Sequence, residues 1–465
     1  MIALSERTLL IGLLVVYLGL GALFAVQTPA WQAPDEPAHY NYIAQVAANG
    51  CCPVIEMGDW DQAYLSQLTG ARFAPELLGG LRAIQYEDHQ PPLYYLIAAP
   101  VYTLTGGSLT ALRLLSVIIG AGVVICAYGV GKALLPDRPQ IALGTAAFVA
   151  FIPQHLAMLA SINNDALAEL IVGLTLLTLV NLLRAPNMPL ERLMLTLGLL
   201  VGFAFLTKTT IYFLAGVVPA AIVLRWWLHR PAFATLLRWL GLFLLPALLM
   251  GGLWWARNLG VYGAPDFLGL ARHDVVVADQ MRRADYIAQF GLDAYWRRAV
   301  EFTYNSFWGQ FGWMALPMPS WVYAGTLALL ALAVSGWGIG IIRPSPPSPH
   351  LRGRGKETGA AAFLSGHSAG LILALVVVLV AAQYVYFNLE FLQHQGRYLF
   401  LALIPLGLFV ALGLDTWRRL LFQRGDTEGG EAELPYTALL GLVPLLLLIP
   451  LDVYVAWRLL PSLAP

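Results

Sequence analysis

The chain has 465 residues, 58% of them hydrophobic and only 12% charged, with 27 basic and 27 acidic side chains and no formal net charge. Soluble domains carry about 25% charged residues, so a water-soluble globule is excluded, and the lack of a basic surplus argues against a nucleic-acid partner. Three cysteines make no disulfide framework: Cys51 and Cys52 are neighbours, Cys126 lies in an apolar run, and a bridge between adjacent residues is disfavoured geometrically.

Apolar runs of about 20 residues, the length that crosses a bilayer, fall at 8–26, 109–131, 141–160, 166–183, 193–206, 210–228, 239–256, 317–342, 369–387, 398–414 and 437–457. The expected fold is an all-α polytopic membrane protein of about eleven transmembrane helices. The first run is too long and uniform for a removable signal and reads as an uncleaved span. Residues 93–104 are apolar but too short to span, and read as interfacial.

Lysine and arginine counts orient the spans. With the N-terminus cytoplasmic, Lys132, Arg138, Arg184, Arg192, Arg225, Arg230, Arg238, Arg343, Arg352, Arg354, Lys356, Arg418, Arg419 and Arg424 all fall inside. The loop at 27–107 is then extracytoplasmic, with eight acids against Arg72 and Arg82. A second outer loop covers 257–316, with balanced charge among aromatics. A Pro/Gly/Ser-rich linker at 343–367, read as disordered and cytoplasmic, separates a module at 1–342 from C-terminal spans at 368–465. A further acidic, Gly-rich inner linker follows at 424–433.

The polar residues at the outer face concentrate the chemistry. Asp35 and Glu36 are bracketed by Pro34 and Pro37, so a helix starting near 36–37, with the acids at its positive end, explains them without function. A helix there also puts His39 one turn from Asp35, on the same face, and a cap fixes a carboxylate's direction as an active site requires. Glu87, Asp88 and His89 close the same loop. Asn164 and Asp165 sit at the outer mouth of the fourth span, where Asp165 either caps that helix or orients a substrate hydroxyl. Lys208, Arg257 and Arg397 are cations where the orientation makes cations uncommon. Each could merely snorkel; together they suggest a phosphate-binding ring. No Walker loop, dinucleotide fingerprint, Cys-x-x-Cys pair or His-Glu-x-x-His motif is present.

At these residues the chain resembles the GT-C glycosyltransferases, integral-membrane enzymes that use polyprenyl-phosphate-linked sugars. The likeness is to the branch with protein O-mannosyltransferases, lipid A aminoarabinose transferases and related bacterial membrane proteins. Trp31-Gln-Ala-Pro-Asp35-Glu36-x-x-His39-Tyr40 is similar to that branch's first-loop acidic motif, and Glu87 to Tyr95 to the His/Lys-x-Pro-Pro-like element closing the loop. Asp165, Lys208, Trp254-Trp255-Ala256-Arg257-Asn258 and Gln395-Gly396-Arg397-Tyr398 look like further family elements. Where the aminoarabinose branch has a lysine beside an acid, this chain has Asp88-His89-Gln90, which alters donor or acceptor contacts.

The resemblance implies inverting transfer of a sugar from a polyprenyl-phosphate donor to an acceptor hydroxyl on the extracytoplasmic face of the cell membrane. Asp35 and Glu36 would be catalytic, with Asp35 the base. His39, Asp88, His89, Asn164 and Asp165 would position acceptor or donor, and Lys208, Arg257 and Arg397 would hold the donor phosphate. No cofactor is required, although Asp35, Glu87, His89 and Asp165 could hold a divalent metal. The acceptor would be a glycan, lipid or protein, and membrane lipids would surround the enzyme. The rival reading is a transporter or flippase for lipid-linked sugars, which would need ionisable groups near mid-bilayer.

Overall fold

The computed structural model describes residues 5–184, 189–342, 360–422 and 439–465. Among these, nine helices are long and apolar enough to cross a membrane, and the chain is a multi-pass membrane protein. They begin with α1 (Glu6–Gln27), capped by the Ser5 hydroxyl, which accepts from Thr8 N–H at 3.1 Å. The first long segment between spans folds as α2 (Glu36–Asn49), α3 (Gln62–Gly70) and the short apolar α4 (Leu93–Thr105). Spans α5 (Leu109–Leu134), α8 (Asp165–Arg184), α10 (Leu214–His229, entered through a 3-10 turn at Thr209–Ile211) and α11 (Phe233–Tyr262) follow. The second long segment between spans carries α12 (Leu270–Val276), α13 (Arg283–Phe290) and α14 (Leu292–Trp308). Spans α15 (Ser320–Ile342), α16 (Ala360–Asn388) and α17 (Leu403–Phe422, entered through a 3-10 helix at Gly396–Ala402) precede a last one at Val443–Leu463.

Two of the eleven expected spans differ. The run at 141–160 is two helices, α6 (Pro139–Phe151) and α7 (Pro153–Leu159), bent by 69°; Pro153 opens α7, and the bend turns His155 and the following turn into the bundle. Counted as one span, the pair gives up to ten. The run at 193–206 is α9 (Leu190–Phe205), with 16 residues. At about 1.5 Å per residue it reaches about 24 Å, short of a hydrocarbon core about 30 Å thick. The linker expected at 343–367 ends later than the helix allows: residues 343–359 lie outside the described residues, as does 424–433, but α16 is already helical from Ala360.

Small residues bring the helices together, as bilayer packing requires. A Cβ on Gly413 of α17 would strike the Ala333 backbone of α15, and one on Gly336 would strike Gly413. The C-terminal helices are therefore packed into the main bundle. At one end of it, Ala38, Ile55, Leu65, Leu68, Phe73, Ile84 and Tyr86 of the first long segment share a small core with Val276 and Val277 of the second. Trp60 Nε1 donates to the Ala278 carbonyl at 2.8 Å, and Trp313 Nε1 to that of Trp31 at 2.9 Å. The two segments thus form one cap over one end of the bundle. At the other end Lys132 and Tyr128 engage Glu6, and Arg138, Arg418 and Arg419 surround Asp415.

Candidate active site

Asp35 lies where α1 gives way to the cap. Its backbone is left-handed (φ 65°), a conformation that aspartate tolerates better than most side chains. Helix α2 starts at Glu36 with Pro37 in its first turn, yet the Asp35 side chain makes no capping bond. Its Oδ1 accepts from the Tyr86 hydroxyl at 2.8 Å, and its Oδ2 from Arg397 Nη2 at 2.6 Å. Burial opposes ionisation of Asp35, but Arg397, His39 and the Tyr86 hydroxyl outweigh it and hold the carboxyl below its usual range.

Arg397 comes from a part of the chain more than 300 residues away. It is delivered by the 3-10 helix at Gly396–Ala402, whose first residue is pressed against α14. Gly396 N–H donates to Ser306 Oγ at 2.7 Å, and a Cβ there would collide with Thr303 O and Phe307 N. Only glycine lets the arginine reach this position. The Arg397 side chain is 10% exposed, and its Nε–H is buried with no acceptor among the described residues.

A second ion pair stands beside the first. Asn163 Oδ1 accepts from the N–H groups of Asp165 at 2.9 Å and Ala166 at 3.4 Å, so Asn163 caps α8. The Asp165 carboxylate is left for Lys208, whose ammonium donates to it at 2.5 Å. Lys208 sits between the end of α9 and the 3-10 turn that opens α10. Asp165 feels the charges of Lys208, Arg397 and His39, which places both pairs in one electrostatic cluster. His39 is one turn along α2 from Asp35, with Nδ1 2.9 Å from the Tyr95 hydroxyl. Burial pushes its imidazole down, and Lys208 adds to this against the opposing pull of Glu87, Asp35 and Asp165. Asn164 is fully buried; its amide donates to the Thr207 carbonyl at 3.3 Å, and its Oδ1 has no partner among the described residues.

Glu36 is turned elsewhere. Its two oxygens accept from Arg113 Nε at 2.8 Å and Nη2 at 2.6 Å, and both side chains are almost wholly buried. Arg113 also donates to the carbonyls of Ala25, Thr28 and Pro29, so the pair staples α5 to the end of α1. Sequence reasoning did not single out Arg113; an isolated arginine in the first turns of an apolar helix was the available signal. Breaking one side of such a buried pair costs about 3–5 kcal/mol. Arg113→Met should therefore lower the melting temperature in detergent, and pairing it with Glu36→Gln should restore part of the loss. A Glu36→Gln protein that melts as the unaltered one does would instead release Glu36 from this anchoring role.

The end of the first long segment between spans supplies a neighbouring polar group. Asp88 is buried, accepts from Gln45 Nε2 at 2.7 Å, and is pushed up to about 8, chiefly by burial. His89 Nδ1 lies 3.0 Å from the Tyr86 carbonyl and so carries a proton, while its ring is 4.3 Å from that of His273. Burial and His273 hold His89 well below its usual range. Glu87 Oε2 and Asp88 Oδ1 are buried without donors among the described residues. No three His, Cys, Asp or Glu side chains among the described residues form a metal-ligand group. Asp35, Glu87, His89 and Asp165 are therefore not assembled into one: the two aspartates are taken by cations, and His89 Nδ1 by a carbonyl.

Arg257 is not bonded into the pair of ion pairs. It donates to the carbonyls of Cys52 at 2.9 Å and Pro53 at 2.5 Å, and lies 5.0 Å from the centre of the Trp254 ring. The loop it holds contains a Cys51–Cys52 disulfide, contrary to the expectation from adjacency, while Cys126 is free and buried. Arg257 anchors this loop and reaches Asp88 only through its field.

An apolar groove of about 840 Å³ lies between α14, α15, α16 and α17. Trp296, Phe307, Trp337, Tyr384, Leu399 and Phe409 are among its walls. Leu399 belongs to the same 3-10 helix as Arg397, so the groove and the ion pairs share an element. Two buried acids lie within spans. Glu169, one turn along α8 from Asp165, meets His155 Nε2 at 2.6 Å. Asp452, in the last span, is fully buried, and neither oxygen has a partner among the described residues.

Among solved structures, the chain is similar to ArnT from Cupriavidus metallidurans bound to undecaprenyl phosphate, at 15% identity and a TM-score of 0.46 over 97% of this chain and 74% of that one. It is also similar to the Archaeoglobus fulgidus oligosaccharyltransferase in complex with Zn and sulfate, at 12% identity and a TM-score of 0.46 over 94% and 52% of the two chains. Among curated proteins none matches. The family model described as predicted membrane protein (DUF2142) matches residues 82–411, well over half of the sequence, and the chain belongs to that family.

Proposed function

We propose that the protein is an inverting glycosyltransferase that moves a sugar from a polyprenyl-phosphate donor to an acceptor hydroxyl. The observation that carries this reading is the pair of carboxylate–cation contacts, Asp35–Arg397 and Asp165–Lys208, with an apolar groove lined by Leu399 of Arg397's own helix. The groove offers a wall for an isoprenoid chain, and the cations offer donors to the phosphate at its head. The sequence resemblance of the first-loop motif supports the same assignment.

In this scheme the acceptor oxygen attacks the anomeric carbon from the face opposite the leaving phosphate. The new C–O bond forms as the bond to the phosphate oxygen breaks, Asp35 takes the hydroxyl proton, and polyprenyl phosphate departs. Arg397 and Lys208 stabilise the charge gathering on that phosphate. His39, Asn164, Asp88 and His89 line the approach and orient the acceptor, which is a glycan, lipid or protein. We assign Glu36 to anchoring α2 and Arg257 to anchoring the cap loop. The protein sits in the cell membrane with its N-terminus cytoplasmic and this site outside, and the scheme needs no cofactor.

Glu169 and Asp452 lend weight to a second reading, transport of a lipid-linked sugar, because ionisable groups inside spans mark translocation pathways in many carriers. The reading we favour is tested by binding. Undecaprenyl phosphate should bind the purified protein at least tenfold more tightly than undecaprenol, the same chain without the anion. Equal affinities would remove the phosphate from the proposal.

A further inference from the structure

In the structure both cations of the cluster are already occupied by carboxylates. We infer that a lipid phosphate binds here by exchange: it takes Arg397 from Asp35 and Lys208 from Asp165, and only the loaded site presents free carboxylates to an acceptor. This deepens the proposed function and rests on it, because it assigns the donor phosphate a second task, the unmasking of the base.

Three features make exchange feasible. Arg397 holds Asp35 through one nitrogen, at 2.6 Å, rather than through the two-pronged contact that makes arginine–carboxylate pairs strongest. Its Nε–H is buried and lacks an acceptor among the described residues, so the guanidinium has an unused donor already desolvated. A phosphate oxygen could take this donor before the bond to Asp35 is given up. The side chains of Asp35 and Asp165 remain about a quarter exposed, at 26% and 27%, so each has water beside it when its cation leaves. Asp35 also keeps the Tyr86 hydroxyl on its other oxygen, which holds its direction through the exchange.

The charge balance gives the exchange a chemical consequence. Two carboxylates and two cations cancel within the four-residue cluster. A sugar phosphodiester brings one more negative charge, and the surplus strengthens the hold of each nearby carboxylate on a proton. Asp35 is a weak base while Arg397 grips it, and it becomes a stronger one when the donor arrives. Donor would bind first and acceptor second, and an empty site would leave acceptor hydroxyls untouched.

The inference makes an unusual demand: removing the carboxylate should improve phosphate binding. Asp35→Asn and Asp165→Asn, measured separately by native mass spectrometry or calorimetry in detergent, should each bind undecaprenyl phosphate about five- to tenfold more tightly than the unaltered protein, the size expected when one partly buried ion pair no longer competes. Neither should change the affinity for undecaprenol. Arg397→Gln and Lys208→Met should weaken undecaprenyl phosphate binding. If the cation variants weaken binding while both aspartate variants bind as the unaltered protein does, or more weakly, exchange is wrong and the proposed function stands. If the cation variants bind normally, the phosphate role itself fails, and the exchange with it. Using two aspartates at separate positions keeps the test open should one variant fold poorly.

Discussion

Asp35→Asn is expected to reduce sugar transfer on the order of 10²-fold or more, the usual contribution of a general base. The substitution keeps the size of the side chain. Its amide oxygen can still accept from Tyr86 or Arg397, so the start of α2 should be preserved. What it removes is the ability to take a proton from the acceptor. Melting temperature should stay near that of the unaltered protein, separating this variant from Arg113→Met, whose fault lies in folding. Near-normal turnover would show that Asp35 only positions Arg397. The base would then be sought at Glu87, which has a buried oxygen without a donor among the described residues and lies within electrostatic reach of His39.

Arg397→Gln and Lys208→Met are expected to slow the chemical step itself, by about 10²–10³-fold for a donor that meets developing charge. Both side chains are mostly buried, at 10% and 16% exposed, where a charge is worth more than in water. Methionine preserves the apolar stem of Lys208, and glutamine retains a donor for Asp35 without the charge. The loss should persist in single-turnover measurements at saturating polyprenyl-phosphate sugar. A loss that disappears at saturation would restrict the two residues to binding. Arg257→Gln should act differently, through the cap loop held at Cys52 and Pro53, with its main effect on stability. Arg238→Gln, an exposed pair to Glu191 near the far end of α11, should change neither.

Much of the architecture could be read from the residues because bilayer solvation imposes long apolar runs. The exceptions have local causes. Pro153 breaks one run into two helices, and α9 is too short for the span assigned to it. Asp35, His39, Asp165, Lys208 and Arg397 could each be nominated by their place at one face, and the structure brings them into one cluster. Their pairing could not be read, since it joins positions 35 and 397, and 165 and 208, through tertiary packing. Nor could the partners of Glu36 and Arg257 be read: Glu36 is turned to Arg113, and Arg257 meets the backbone carbonyls of Cys52 and Pro53. Of the two readings the sequence left for Asp165, capping falls to Asn163 instead, which leaves Asp165 available to Lys208.

The most direct measurement is transfer against translocation in one preparation. Purified protein would be placed in sealed vesicles containing polyprenyl-phosphate sugars, with soluble, lipid and peptide acceptors supplied outside. Release of polyprenyl phosphate matched by sugar on an acceptor, and lost in Asp35→Asn, is the result the proposed mechanism predicts. Movement of intact lipid-linked sugar between leaflets, with no transfer to any acceptor and no effect of Asp35→Asn, would contradict it and assign the buried acids of the spans to transport.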